Sequence, residues 1–256
     1  MKNLIIVITI FTFFGCAHTR VPIIFEPVSV PNVSTIYSNG VPLASSSMDN
    51  FSFLLSLDQT EISGAEYFRL WVLFKNESDS TMLLEPSKIF SIVAIPKKTS
   101  GIGQEFTMQA QPPTIILNKI KNEEAVLSIM TAIGGTLESV SAKNTIVTSN
   151  HGDRYEINDA SEKREKINER TSSSLGSISN WYSIYKSSIS SGILRKNTLF
   201  KDQSVNGYLY FRNNMRVLSK SKSYFTEYNS VDFDYKVLVE LPSGIKTVEF
   251  KITEGE

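Results

Sequence analysis

Glu66-Tyr-Phe-Arg-Leu-Trp-Val-Leu-Phe-Lys75 decides the fold class. Its alternate positions Phe68, Leu70, Val72 and Phe74 are all apolar, while Tyr67, Arg69, Trp71, Leu73 and Lys75 make a mixed face. Successive side chains of a β-strand point to opposite sides, so a period of two marks a strand with one side in a core. Asn76-Glu-Ser-Asp79 reads as a turn, and residues 81–84 and 88–95 follow as further strands. Upstream, residues 51–57 carry the same pattern; residues 104–111 and 114–117 carry it less regularly.

The C-terminal part repeats the signal. Val205, Gly207, Leu209 and Phe211 alternate against Asn206, Tyr208, Tyr210 and Arg212. Phe233, Tyr235, Val237, Val239 and Leu241 alternate against charged or mixed neighbours, and after Pro242-Ser-Gly244 the positions Val248, Phe250 and Ile252 do so again. These last two runs predict a hairpin. Several short antiparallel strands separated by turns argue for a sandwich rather than an α/β fold.

A different kind of sequence lies between these halves. Asn122 suits a helix cap, Glu123 and Glu124 suit its positive end, and Val126, Ile129, Met130 and Ile133 follow at helical spacing before Gly134-Gly135 as a stop. A second helix is predicted from Asn158-Asp159 to Gly192, with Glu162 and Lys166 in the favourable i,i+4 order. Its second half carries Leu175, Ile178, Tyr182, Tyr185 and Ile189 as a stripe that needs a surface to bury against. Serines and Gly176 lower helix propensity, so a break in the middle is expected.

Arg69-Leu-Trp-Val-Leu-Phe-Lys-Asn-Glu-Ser-Asp79, with Leu84-Glu-Pro-Ser-Lys-Ile-Phe90 shortly after, resembles a strand–turn–strand unit of immunoglobulin-like sandwich domains in uncharacterised bacterial envelope lipoproteins. Leu194 to Phe211 is similar to their returning strand, where a polar loop leads into Gly-x-aromatic-x-aromatic. The resemblance implies an immunoglobulin-like antiparallel β-sandwich, mainly β, with a helical insertion at residues 120–192. It brings no catalytic residue and no cofactor.

The N-terminus points to the same compartment. Met-Lys-Asn is followed by an apolar run from Leu4 to Phe14 and by Gly15-Cys16. A positive start, a short hydrophobic run and a small residue at the cut site describe a secretory signal. Eleven residues at ~1.5 Å each reach only about half of a ~30 Å hydrocarbon layer. Phe13-Phe14-Gly15-Cys16 resembles the lipobox of bacterial lipoproteins, although Phe13 and Phe14 depart from its usual Leu and small residue. The resemblance implies a lipid on Cys16 that anchors the chain to a membrane, and Ala17 after it implies the outer membrane. Residues 16–48, rich in Pro and closed by Ser45-Ser46-Ser47, are expected to form an extended tether, with 23–30 lying against the sheet as an edge strand. The domain proper is expected over 49–256. Cys16 is the only cysteine, so no intramolecular disulfide is possible.

The composition narrows function further. Lys and Arg number 26, as do Asp and Glu, and loss of residues 1–15 would remove only Lys2 from that balance. Nothing in it favours nucleic acid as a partner. Of the two histidines, His18 sits in the tether and His151-Gly-Asp153 reads as a turn; no spacing resembles a zinc or calcium site. No Gly-x-Ser-x-Gly elbow or phosphate loop is present. The expectation is a non-catalytic envelope protein that contacts another protein. The alternatives are a carbohydrate or cell-wall binding module using exposed aromatics and, third, an enzyme. Trp71 on the mixed strand face and Trp181, Tyr182 and Tyr185 on the second helix are the candidate binding surface. The competing expectation is that the helices pack across that sheet face and bury these rings.

Overall fold

A computed structural model describes residues 23–62, 65–98, 100, 103–148, 154–213, 215–218, 225–227 and 232–254. The residues read as a signal, with Cys16, His18 and His151, lie outside the described residues. The chain opens with β1 (Ile23–Pro27), β2 (Val33–Ser38), β3 (Val41–Met48), β4 (Phe51–Ile62) and β5 (Ala65–Asn76). β6 (Met82–Leu84), the short helix α1 (Pro86–Ile89), β7 (Phe90–Pro96) and β8 (Phe106–Gln109) follow. Next come the long helix α2 (Pro113–Ser141), the hairpin β9 (Thr145–Thr148) and β10 (Arg154–Ile157), and the long helix α3 (Ala160–Gly192). The chain continues through β11 (Asn197–Leu199), β12 (Ser204–Arg212), β13 (Arg216–Leu218), β14 (Phe225–Glu227), β15 (Phe233–Leu241) and β16 (Gly244–Glu254).

The protein is mainly β, and its strands form antiparallel sheets arranged as a β-sandwich. One five-stranded sheet runs β1-β16-β15-β7-β8 and the other β12-β5-β4-β3-β2. The inner face of β5 is the predicted one: Phe68, Leu70, Val72 and Phe74 are fully buried, opposite Leu209, Gly207 and their neighbours on β12 and Leu55 and Leu57 on β4. Phe233, Tyr235, Val237 and Val239 of β15 close the core from the other sheet. Phe68 meets Tyr235 at 4.9 Å between ring centroids, and Phe25 of β1 reaches both rings edge-on at 6.1 and 5.4 Å. Such aromatic contacts add about 0.5–1.5 kcal/mol each beyond burial of area. The predicted hairpin is present as β15–β16, turning at Gly244 with φ +141°.

Four expectations need correction. Residues 23–48 are not a tether: β1 is the expected edge strand, β2 and β3 occupy most of the rest, and the three contribute Phe25, Val33 and Ala44 to the core. The turn between β2 and β3 is Asn39-Gly40, both at positive φ, and Pro42 lies past the β3–β4 ladder, which starts at Ala44. Residues 114–117 belong to a helix, because α2 starts at Pro113 rather than Asn122, and it runs through Gly134-Gly135 without stopping. Proline at the first helical position gives up an N–H that has no intrahelical partner anyway. Helix α3 is continuous, without the expected break.

Two buried features fix local geometry. Asn76 ends β5 with no exposed surface. Its amide nitrogen donates to the carbonyls of Ser80 and Leu199 at 2.8 and 3.0 Å, and its Oδ1 accepts from Ser78 N and Oγ. That single side chain ties the turn after β5 to β11. Gly207 is crossed by the backbone leaving α3: a Cβ there would stand 2.8–2.9 Å from Leu194 N, Gly192 O and Leu194 Cα. Leu194 N donates to Tyr208 O at 2.9 Å across the same contact. Gly207→Ala is expected to lower stability by about 1–3 kcal/mol through overpacking. Gly134→Ala, where an added Cβ meets nothing within 4 Å, should raise it by up to about 1 kcal/mol through helix propensity. Urea unfolding midpoints of the two variants, moving in opposite directions, check both statements.

Candidate functional site

The mixed outer face of β5 explains where the helices dock. Tyr67, Ile62 and Tyr210 on this face are buried with Ile116 and Ile120 of α2 and Tyr182 of α3, while Ile178, Tyr185, Ile189 and Tyr208 pack around them. Beneath them Arg69 reaches Asp58 on β4, Nε donating at 2.9 Å and Nη2 at 2.5 Å, and its guanidinium lies 4.8 Å above the Tyr208 ring. The hydrogen bonds and charge of the Asp58 carboxylate raise the arginine's affinity for its proton further, so the guanidinium stays charged. Burial raises the hydroxyl pKa values of Tyr182, Tyr185 and Tyr210, so they stay protonated at neutral pH.

The proposed aromatic surface is split by this docking. Tyr182 is buried, Tyr185 and Trp71 are partly buried, and Trp181 is 57% exposed. Trp181 stacks on Tyr185 at 5.0 Å and meets Tyr182 edge-on at 4.7 Å. The two tyrosines thus continue the sheet-facing stripe, and Trp181 covers its rim.

Past the sheet the helices depend on each other. Between residues 121 and 177 the only buried residue among those described is Ile167 of α3. The contact surface of α2 there is polar and, past its first turn, small: Glu123, Glu124, Ser128, Thr131, Ala132, Gly135 and Ser139 are its partly buried positions. Gly135 is tight against α3, since a Cβ would fall 2.2 Å from Thr171 Oγ1. Arg170 pairs with Glu138 at 2.6 Å. At the far end Asp159 accepts from Thr145 N at 2.8 Å and from Thr145 Oγ1 at 2.6 Å, while Asn144 donates to Glu156 and accepts from Ala160 N.

The apolar side of α2 faces the other way. Val126, Met130, Ile133, Leu137 and Val140 are spaced four, three, four and three, and their exposures are 57, 65, 54, 67 and 74%. Ile129 beside them is 59% exposed. At ~100° per residue, Gly135 on the α3 side lies ~180° around the helix from Val126. The stripe is therefore opposite α3, not merely beside it. Sequence reasoning named its first half and ended the helix too early for Leu137 and Val140; the unbroken four–three spacing carried the missing signal.

The rest of the surface offers less chemistry. An open groove of about 730 Å³ at one end of the sandwich is lined by Asp49, Phe51, Met82, Glu85, Lys88 and Leu241 among others. Ion pairs with Lys196 and Lys88 hold the Glu85 carboxyl down at about 2, which makes it a poor proton acceptor at neutral pH. Among the described residues no group of three or more His, Cys, Asp or Glu could hold a metal ion, and no helix is long and apolar enough to cross a membrane.

Hydrogen bonds from Thr145, and the charge of Lys163 behind them, hold the Asp159 carboxyl down to about 2, against an ordinary value of 3.8. A carboxyl depressed in the folded state stabilises it above the ordinary value and loses that contribution as pH falls from about 4 to about 2. The Thr145 amide proton resonance should report this titration with a midpoint near 2. Asp159→Asn should abolish the titration and loosen the β9–β10 hairpin at neutral pH; a midpoint at the ordinary value would show that the pair does not form. Compared with known proteins, the chain matches no family model, no curated protein and no solved structure, so any function must be read from this geometry.

Proposed function

We propose that this chain is a lipid-anchored component of a bacterial cell envelope. In this reading it is an immunoglobulin-like sandwich that carries α2 and α3 as an inserted helical hairpin and works by non-catalytic protein contact. The address rests on the signal-like N-terminus and on Cys16 after Gly15. The mode of action rests on one observation: the heptad-spaced apolar stripe of α2 is turned away from both α3 and the sheet. An apolar patch of that size on a soluble surface marks a place where something docks.

A carbohydrate-binding reading draws on Trp181, the one ring of the aromatic cluster that is mostly exposed. Tyr185 already occupies one of its faces and Tyr182 is buried, so a sugar would find a single ring rather than a platform.

Two experiments test the reading separately. Cys16→Ala should end the uptake of labelled fatty acid and release the protein from membranes, and undiminished labelling would remove the anchor. A photo-reactive residue at Met130 of the full chain, activated in the cells that make it, should give protein adducts. A probe that yields none, although the protein is present in full amount, would remove the hairpin as the contacting element.

A further inference from the structure

We infer that the occupant of the α2 stripe is a second copy of this chain, docked antiparallel on the same stripe. The inference rests on the reading of the hairpin as a protein-contact element and names its partner. Four–three spacing over Val126, Met130, Ile133, Leu137 and Val140 is the spacing of a helix–helix seam. The stripe is also close to symmetric about Ile133. Reversing the helix about that residue sets Val126 against Val140, Ile129 against Leu137 and Ile133 against itself, with Met130 one residue short of facing Leu137. A surface that meets its own copy in this way satisfies the condition for a closed twofold contact, in which the same patch serves both partners.

Area agrees with this. Six side chains that are each more than half exposed, at on the order of 100 Å² apiece, offer roughly 600 Å² per copy, near the lower edge of the interfaces that hold stable complexes. Charge selects the direction. Glu123, which also holds the Tyr182 hydroxyl, flanks one end of the stripe, and Lys143 follows the other. Antiparallel pairing brings each Glu123 toward the partner's Lys143, whereas parallel pairing sets like against like. Charge also disfavours a lipid surface as the occupant. Residues 122–142 contain three glutamates and no lysine or arginine, and an interfacial helix on anionic lipid is normally basic.

The mutual position of the helices permits this dimer without rearrangement. The stripe lies opposite Gly135 and the α3 contact, so two hairpins would stack with their α2 helices inside and their α3 helices outside.

The test uses two differently tagged full-length copies produced together, with single cysteines introduced and mild oxidation of intact membranes. Ile133→Cys should cross-link to itself and Val126→Cys to Val140→Cys, while Val126→Cys should pair poorly with itself. Ser172→Cys on the exposed side of α3 and the unaltered chain set the background. Adding Met130→Glu should cut the Ile133→Cys adduct about tenfold or more without lowering the thermal midpoint, because Met130 is largely exposed within the single chain. Cross-linking of Ile133→Cys no stronger than Ser172→Cys would overturn the dimer, and Val126→Cys pairing with itself as strongly as with Val140→Cys would overturn its direction. The photo-reactive probe at Met130 separates the two levels. Adducts only with a different protein would end the second-copy inference and leave the contact reading standing; adducts only with lipid would end both.

Discussion

Strand β5 carries large side chains on both of its faces, and a sheet in water cannot leave both uncovered. Phe68, Leu70, Val72 and Phe74 are satisfied by the second sheet, where Tyr235 and Phe233 answer them. The ring of Tyr67 on the reverse side is covered by Ile116, Ile120 and Tyr182 of the helices, its buried hydroxyl being left without a hydrogen-bond partner among the described residues. The β-sandwich and the helical pair are thus two responses to one strand, made in opposite directions. Gly207 lets the second response connect to the first, because only a residue without a Cβ allows the chain leaving α3 to cross β12 so closely.

Alternation along single strands was readable, and so was everything that follows from it locally. β5, β12 and the β15–β16 hairpin need no tertiary knowledge because each turns one set of alternate apolar residues to the core, with only Val205 and Ile252 of those sets left partly buried. β1 is legible as an edge strand, whereas β2 and β3 are hidden by prolines that read as breakers, although Pro42 sits past the β3–β4 ladder, which begins at Ala44. Asn39-Gly40, a strong hairpin signal, lay in the same stretch. Gly135 was read as a stop when it is a contact: a glycine in a helix face says as much about what approaches the helix as about where it ends.

Of the four aromatic residues singled out as a surface, one is buried, two are partly buried, and Trp181 is mostly exposed. The amphipathic stripe of α3 could be recognised, but the direction in which α2 turns its own could not. A helix with an apolar stripe is expected to bury it. Here α2 buries Ile116 and Ile120 at its start and then offers α3 its serines, threonine and glycine. Close approach between Gly135 and Thr171 and the Arg170–Glu138 pair decide that orientation, and both depend on residues far apart in sequence.

β1 stands at the edge of its sheet, and each of its five residues faces one of β16, from Ile23 opposite Glu254 to Pro27 opposite Phe250. Any mechanical load passed along the chain from the N-terminal side reaches the folded body through this short ladder. Phe25, wedged between Phe68 and Tyr235, is the first core side chain on that path. Tension would therefore be carried by a handful of backbone hydrogen bonds and one aromatic plug before it reached β5. The strength of the whole body under pull would be set by that edge, and not by the much larger core behind it.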